Sequence, residues 1–242
     1  MNKGAKPLSQ LQILVCTHRR PEMLSRLLTS LSRAATAVQQ TSEIIIVNND
    51  STPFNFKLAT FDGLSLRIVD EPKIGLAFAR NRAMAESSAA YLLFLDDDQV
   101  VGSEFFVEVQ ALITSPEATC AAIRLPVIYT HSAAGSDQTT QEEMILSNAR
   151  RQDFGCGGLL ISRQWLNSLG DQPVFDSRLN HIGAEDTDLF MKATSLKLNM
   201  YQSNMPIVME CSDFTRLNLR SLWRASERKG YADIIIDLKH DP

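Results

Sequence analysis

Three short, nearly unbroken apolar runs constrain this chain most: Leu11 to Cys16, Glu43 to Val47 and Tyr91 to Leu95. None alternates apolar with polar residues, so each suits a strand buried on both faces, the pattern of a parallel sheet covered by helices. Helical spacing lies between them. Pro21 suits a first helical position, and Leu24, Leu27, Leu28 and Leu31 follow at helical intervals. Leu66 to Val69 reads as a further strand, and the Ala-rich stretch from Gly75 to Ser87 as a helix. Strands alternating with helices predict an α/β fold, a mainly parallel, Rossmann-like sheet with helices on both faces. A chain of 242 residues, 44% hydrophobic and 21% charged, is large enough to bury such a core.

The second half is less regular. Residues 103–115 and Ala184 to Leu196 read as helices, and Ala121 to Tyr129 as one strand. Residues 130–143 read as an exposed loop, and Phe175 to Gly183 as another loop. Arg216 to Lys229 reads as a last helix with Leu219, Leu222 and Trp223 on its apolar side.

In parallel sheets, ligands bind beyond the carboxyl ends of the strands. Polar groups gather at those ends here: Cys16-Thr17, Asn48 to Asp50, and Asp96-Asp97-Asp98. Three adjacent carboxylates repel one another unless a counter-charge joins them. A hard divalent cation supplies one, and Mg²⁺ typically takes one or two carboxylates plus substrate phosphates. The triplet therefore points to Mg²⁺ or Mn²⁺ and a phosphorylated ligand, against the alternative of a solvated acidic turn. Gly155-Cys156-Gly157-Gly158 permits close backbone approach to a ligand, and equally a tight turn. Glu185, Asp186 and Asp188 fall in a first helical turn, where acids also favour the helix dipole.

A formal charge of −4 gives no general case for nucleic acid. Cys16, Cys120, Cys156 and Cys211 are scattered, with no C-x-x-C pair, which argues against zinc and a disulfide framework and fits a reducing, cytoplasmic setting. No apolar run is long enough to span a bilayer, and Met1 to Gln10 is polar. From Arg216 to Gly230, however, five basic residues meet one acid. Arg216, Arg220, Arg224 and Arg228 recur every four residues as a helical stripe. Two readings stand: a solvated face, or contact with phosphates, of a donor or at an anionic membrane surface. The histidines, His18, His131, His181 and His240, are too dispersed to mark a site.

In order, the chain carries T-H-R-R-P (Thr17 to Pro21), V-N-N-D-S (Val47 to Ser51), G-L-A-F-A-R-N (Gly75 to Asn81), L-D-D-D (Leu95 to Asp98), G-C-G-G (Gly155 to Gly158) and G-A-E-D-T-D-L-F (Gly183 to Phe190). This series resembles the family 2 inverting glycosyltransferases of GT-A fold, in the flavour of bacterial succinoglycan-type exopolysaccharide glucosyltransferases. The resemblance implies one GT-A domain over 1–242, with a nucleotide-binding half at about 11–100 and an acceptor and catalytic half at about 101–230. It implies that Thr17, Arg20, Asn49, Asp50 and Arg80 line the nucleotide pocket, with the base read near Asn49. Asp98 binds the metal on this view, and Asp96 and Asp97 meet ribose or metal-bound oxygens. Gly157 and Gly158 lie beside the donor sugar, Asp186 is the general base, and Glu185 is its neighbour near the acceptor. The implied donor is a nucleotide-sugar, a UDP-sugar first, and the acceptor a saccharide or lipid-linked saccharide at the inner face of the membrane. Asn48 or Asn49 stands where the family usually has an aspartate, and Glu210 where many relatives have a histidine.

Two other functions suit such a sheet. A sugar-nucleotide nucleotidyltransferase wants a Gly- and Arg-rich loop after the first strand, and Cys16 to Pro21 holds no glycine. A non-catalytic nucleotide- or carbohydrate-binding module has no need of both the D-x-D and the Glu185-Asp186 pair.

Overall fold

The computed structural model describes residues 10–39, 41–54, 60–130, 146–148, 155–170, 173–180, 182–205, 208–211, 230–236 and 238–240. Four parallel strands build the first half: β1 (Leu11–Thr17), β2 (Ser42–Asn48), β3 (Leu64–Asp70) and β4 (Tyr91–Asp96). Helix α1 (Pro21–Ala37) follows β1, and α2 (Leu76–Glu86) joins β3 to β4. Then come β5 (Gln99–Val101), α3 (Phe105–Thr114), β6 (Ala122–Arg124), β7 (Val127–Thr130), β8 (Leu146–Asn148), β9 (Leu159–Ser162), α4 (Arg163–Ser168), α5 (Glu185–Ser195), β10 (Met200–Ser203) and β11 (Val208–Cys211). The main sheet runs β3-β2-β1-β4-β9-β6-β10-β8, and a small sheet runs β5-β11-β7. Strand β9 is antiparallel to both β4 and β6, so it reverses the direction midway.

The apolar runs are buried on both sides because successive side chains point to opposite faces. Ile13, Val15, Ile44, Ile46, Leu93 and Leu95 face α1 and α3. Leu14, Ile45, Val47, Leu92 and Phe94 face the other way, packing with Ala77, Ala83, Trp165 and Phe190 from α2, α4 and α5. Each fully buried Leu or Ile contributes about 1.5–3 kcal/mol. Pro21 occupies the first turn of α1 as expected.

The structure corrects the expectation of one strand over Ala121–Tyr129. The chain breaks at Leu125-Pro126, leaving β6 in the main sheet and β7 in the small one. Pro126 has no N–H to offer a ladder; its carbonyl instead accepts from Val208 N at 2.9 Å. The segment read as a loop at Phe175 to Gly183 contains a 3₁₀ turn, Ser177–Leu179. Residues 131–143, His181, the side chain of Glu210 and the basic run Arg216 to Lys229 lie outside the described residues. Among the described residues, no helix is long and apolar enough to cross a membrane.

Candidate active site

The parallel register brings Thr17, Asn48 and Asp96 to one end of the sheet, because Thr17 is level with Asn48 and Cys16 with Asp96. An open cleft of about 410 Å³ lies there. Thr17, Arg20, Asn49, Arg80 and all three carboxylates Asp96, Asp97 and Asp98 border it. A neighbouring hollow of about 270 Å³ shares Thr17 and Arg20 and adds Asp50 and Phe54. A larger hollow of about 640 Å³ lies at the opposite end of β4, beside Tyr91 and Arg163, away from the carboxylates. Charge chemistry favours the carboxylate end over mere size.

The three carboxylates have different surroundings. Asp97 is buried; it accepts from Thr17 Oγ1 at 2.8 Å and from Arg20 at 3.0 Å. Burial nevertheless lifts its pKa above the usual range, outweighing those two bonds. Arg20 also reaches Asp98 at 3.3 Å, and the Asp98 side chain keeps 15% of its surface exposed. Asp96 lies deeper. Burial raises its pKa, and the Arg80 charge opposes that rise only in part. A Cβ on residue 157 would run into Asp96 Oδ2 and Gln99 Nε2, so only glycine lets the G-C-G-G backbone lie this close. Arg124 donates to the carbonyls of Gly157 and Gly158, holding that turn in place.

Arg80 is the hub of the deeper site. It is buried and donates to Glu185 Oε1 at 2.7 Å, with its guanidinium 5.5 Å from the Phe175 ring. Burial alone would lower its pKa, but Cys156, Asp96, Glu185 and Asp186 around it more than reverse that. Glu185 is buried, with only 4% of its side chain exposed. Its burial raises its pKa against the pull of Arg80, and Oε2 has no hydrogen-bond partner among the described residues. Asp186 is half-buried and faces the glycine turn: a Cβ on Gly155 would sit 3.8 Å from its Oδ2. Thr187 N holds its other oxygen at 2.8 Å.

Asn49 and Asp50 border the hollows but spend their polar groups on the protein. Asn49 donates to the carbonyls of Glu71 and Lys73 and accepts from Gly75 N at 2.9 Å. Asp50 binds Arg19 and the Thr52 backbone, and the Arg19 bond chiefly holds its pKa well below the usual range. Arg19 has a left-handed φ of 55°. The structure adds Arg19, Gln99, Arg124, Asn81 and Asn180 to the site's framework. Asn81 trades two hydrogen bonds with the Phe175 backbone, at 2.8 and 3.0 Å. Arg19 and Asn81 fall inside quoted motifs without a role assigned to them, and no motif covers Gln99, Arg124 or Asn180.

Among the described residues no three metal-ligating side chains converge. A three-carboxylate cage therefore does not fit. Asp98, whose carboxylate is partly open, is the residue of the three that could hold an ion together with the phosphates of a ligand.

Comparison with known proteins bears on this geometry. The profile of Glycosyl transferase family 2 matches residues 12–168. The succinoglycan biosynthesis protein ExoM of Rhizobium meliloti (strain 1021) is 28% identical over 193 residues, 74% of this chain and 60% of that protein. This chain thus spans less than two thirds of that relative. Among solved structures, S. aureus TarS superposes with a TM-score of 0.62 at 16% identity, over 95% of this chain and 39% of that one. TarS 1-349 in complex with UDP-GlcNAc gives 0.61 at 17% identity, over 96% and 67%. GalNAc-T7 with UDP, GalNAc and Mn²⁺ gives 0.58 at 17% identity, over 84% and 44%. At these identities the superpositions speak for the fold. With the family profile covering more than half of its length, the chain belongs to glycosyl transferase family 2 and has the GT-A fold.

Proposed function

We propose that this protein transfers a sugar from a UDP-sugar to a saccharide or lipid-linked saccharide in polysaccharide synthesis, with inversion at the anomeric carbon. The observation that carries the reading is the row Asp96 to Asp98 at the carboxyl end of β4, facing a cleft whose Arg80 is paired with Glu185, the residue before Asp186. TarS bound to UDP-GlcNAc and the kinship with ExoM support the donor class and the pathway type.

In this reading the half at 11–100 holds the donor and the half at 101–230 the acceptor. Thr17, Arg20, Asn49, Asp50 and Arg80 frame the nucleotide side, and Gly157 and Gly158 lie beside the donor sugar. Asp98, with Asp96, would hold Mg²⁺ or Mn²⁺, which neutralises charge developing on the leaving diphosphate. Asp186 takes the proton from the acceptor hydroxyl as its oxygen bonds the anomeric carbon. The bond to the diphosphate breaks, and UDP leaves with the electron pair. With no protein nucleophile involved, one displacement inverts the centre. The basic run Arg216 to Lys229 would dock the protein on anionic lipid. Salt-sensitive binding to phosphatidylserine vesicles, reduced by Arg220→Gln with Arg224→Gln, is the expected result; no binding at low salt rejects the docking.

The test of function is titration with UDP by calorimetry, with and without Mn²⁺. UDP is expected to bind only with metal, and Asp98→Ala to bind at least tenfold more weakly, the loss of a charge-assisted contact. Equal affinity in wild type and variant would refute the assignment.

A further inference from the structure

Helix α2 begins without a cap of its own. Gly75 precedes it and supplies no side chain, so the first backbone N–H groups need partners from elsewhere. Two asparagines distant in sequence provide them. Asn49, past the end of β2, accepts from Gly75 N at 2.9 Å. Asn180, in the loop that leads into α5, accepts from Ala77 N at 2.7 Å. The amide nitrogen of Asn180 donates to Ser177 O at 2.9 Å, so its side chain also braces its own loop. The fit is close. Gly75 has a φ of 143°, and a Cβ there would overlap the Asn180 amide group.

One turn further along α2 stands Arg80, paired with Glu185 at the start of α5. The next residue, Asn81, clasps the Phe175 backbone. The loop before α5 is therefore hung on α2 at three points: Phe175, Asn180 and Glu185. Asp186 follows directly after the last of these. Whatever fixes this loop on α2 also fixes the distance from Asp186 to the Asp96 side of the cleft.

We propose that Asn180 is a positioning residue: by capping α2 from the α5 loop, it sets the placement of Asp186 against the donor cleft. It acts through α2 and α5 and touches neither donor nor acceptor. This inference rests on the glycosyltransferase reading for its kinetic consequence, but not for its structural one.

Two measurements on the full chain separate these. The first is hydrogen–deuterium exchange of ligand-free wild type, Asn180→Ala and Asn180→Asp. Asp keeps the accepting oxygen and suits a helix N-terminus. Asn180→Ala is expected to speed exchange both at 75–80 and at 182–190, and Asn180→Asp, which keeps the acceptor for Ala77 N but loses the donor to Ser177 O, to restore the first segment fully and the second in part. Faster exchange at only one segment, or no restoration by Asp, overturns the proposal. The second is UDP release from UDP-glucose and UDP-N-acetylglucosamine with Mn²⁺. Since misplacement by about 1 Å can cost up to about a hundredfold, kcat should fall roughly tenfold in Asn180→Ala while KM stays within about twofold, with recovery in Asn180→Asp. A change in KM alone would make Asn180 a donor-site residue and sink the proposal. If wild type releases no UDP from either donor, the donor assignment fails, and exchange still decides the role of Asn180.

Discussion

Asp186 is half-buried at the first turn of α5, with one oxygen on Thr187 N and the other facing Gly155. That exposure suits a base that must reach an acceptor from solvent. Buried Glu185, locked on Arg80, cannot exchange roles with it without breaking an ion pair. Asp186→Asn is therefore expected to keep UDP affinity and lose about 10²-fold or more of turnover, the usual scale for removing a general base. Calorimetry and UDP release measure the two halves; matched losses would make Asp186 a binding residue. At this scale the sequence marked the acids well, because carboxylates at strand ends and in a first turn are conspicuous. It could not show that Asn49 and Asp50 turn their polar groups onto neighbouring backbone and Arg19. Nor could it show Asn81, Asn180 and Arg124, which act on carbonyls and amides far away in the chain.

Among the elements, the passage from α2 to β4 depends on Gln12 in β1. Its Oε1 accepts from Ser87 Oγ and, at 3.0 Å each, from Ser88 N and Ala89 N; its Nε2 donates to Glu43 at 2.8 Å. Gln12 is buried, so its loss strands several donors at once. Gln12→Ala should cost about 1–3 kcal/mol in urea unfolding, with little change in UDP affinity; an unchanged midpoint would mean that water replaces the amide. Strands β1, β2 and β4 were legible because burial on both faces removes polar positions, whereas β3 lies at the sheet edge and is half-exposed. The second half was not: β5, β6 and β8 have three residues each, and β9, β10 and β11 four each, too few for a period to show. The run over Ala121–Tyr129 looked continuous because Pro126 breaks a ladder without breaking the hydrophobicity.

On the scale of the whole molecule, residues 230–236 and 238–240 close back on the α5 region. Ala232 and Ile236 pack with Leu179 and Ala184, and Lys239 bridges Asp176 at 2.9 Å and Asp188 at 2.7 Å. His240 joins Asp188 at 2.7 Å. Hydrogen bonds from Arg178, then Lys239, hold Asp176 well below its ordinary pKa of 3.8. A depressed folded pKa gives stability that is present above the unfolded value and lost as pH falls below it. Asp176→Asn should thus lower Tm modestly at neutral pH, and the gap should narrow once pH drops below 3.8. A pH-independent gap would assign the effect to packing. The reversal at β9 has a consequence of another kind, in the order of synthesis. Strand β4 pairs with β1 on one side as soon as both exist, but its other side waits for β9, beyond α3 and β6 to β8. Until then the nascent chain presents an apolar strand edge, and closing it requires a distant contact, slow to form and open to aggregation. The half built first depends for its completion on the half built last.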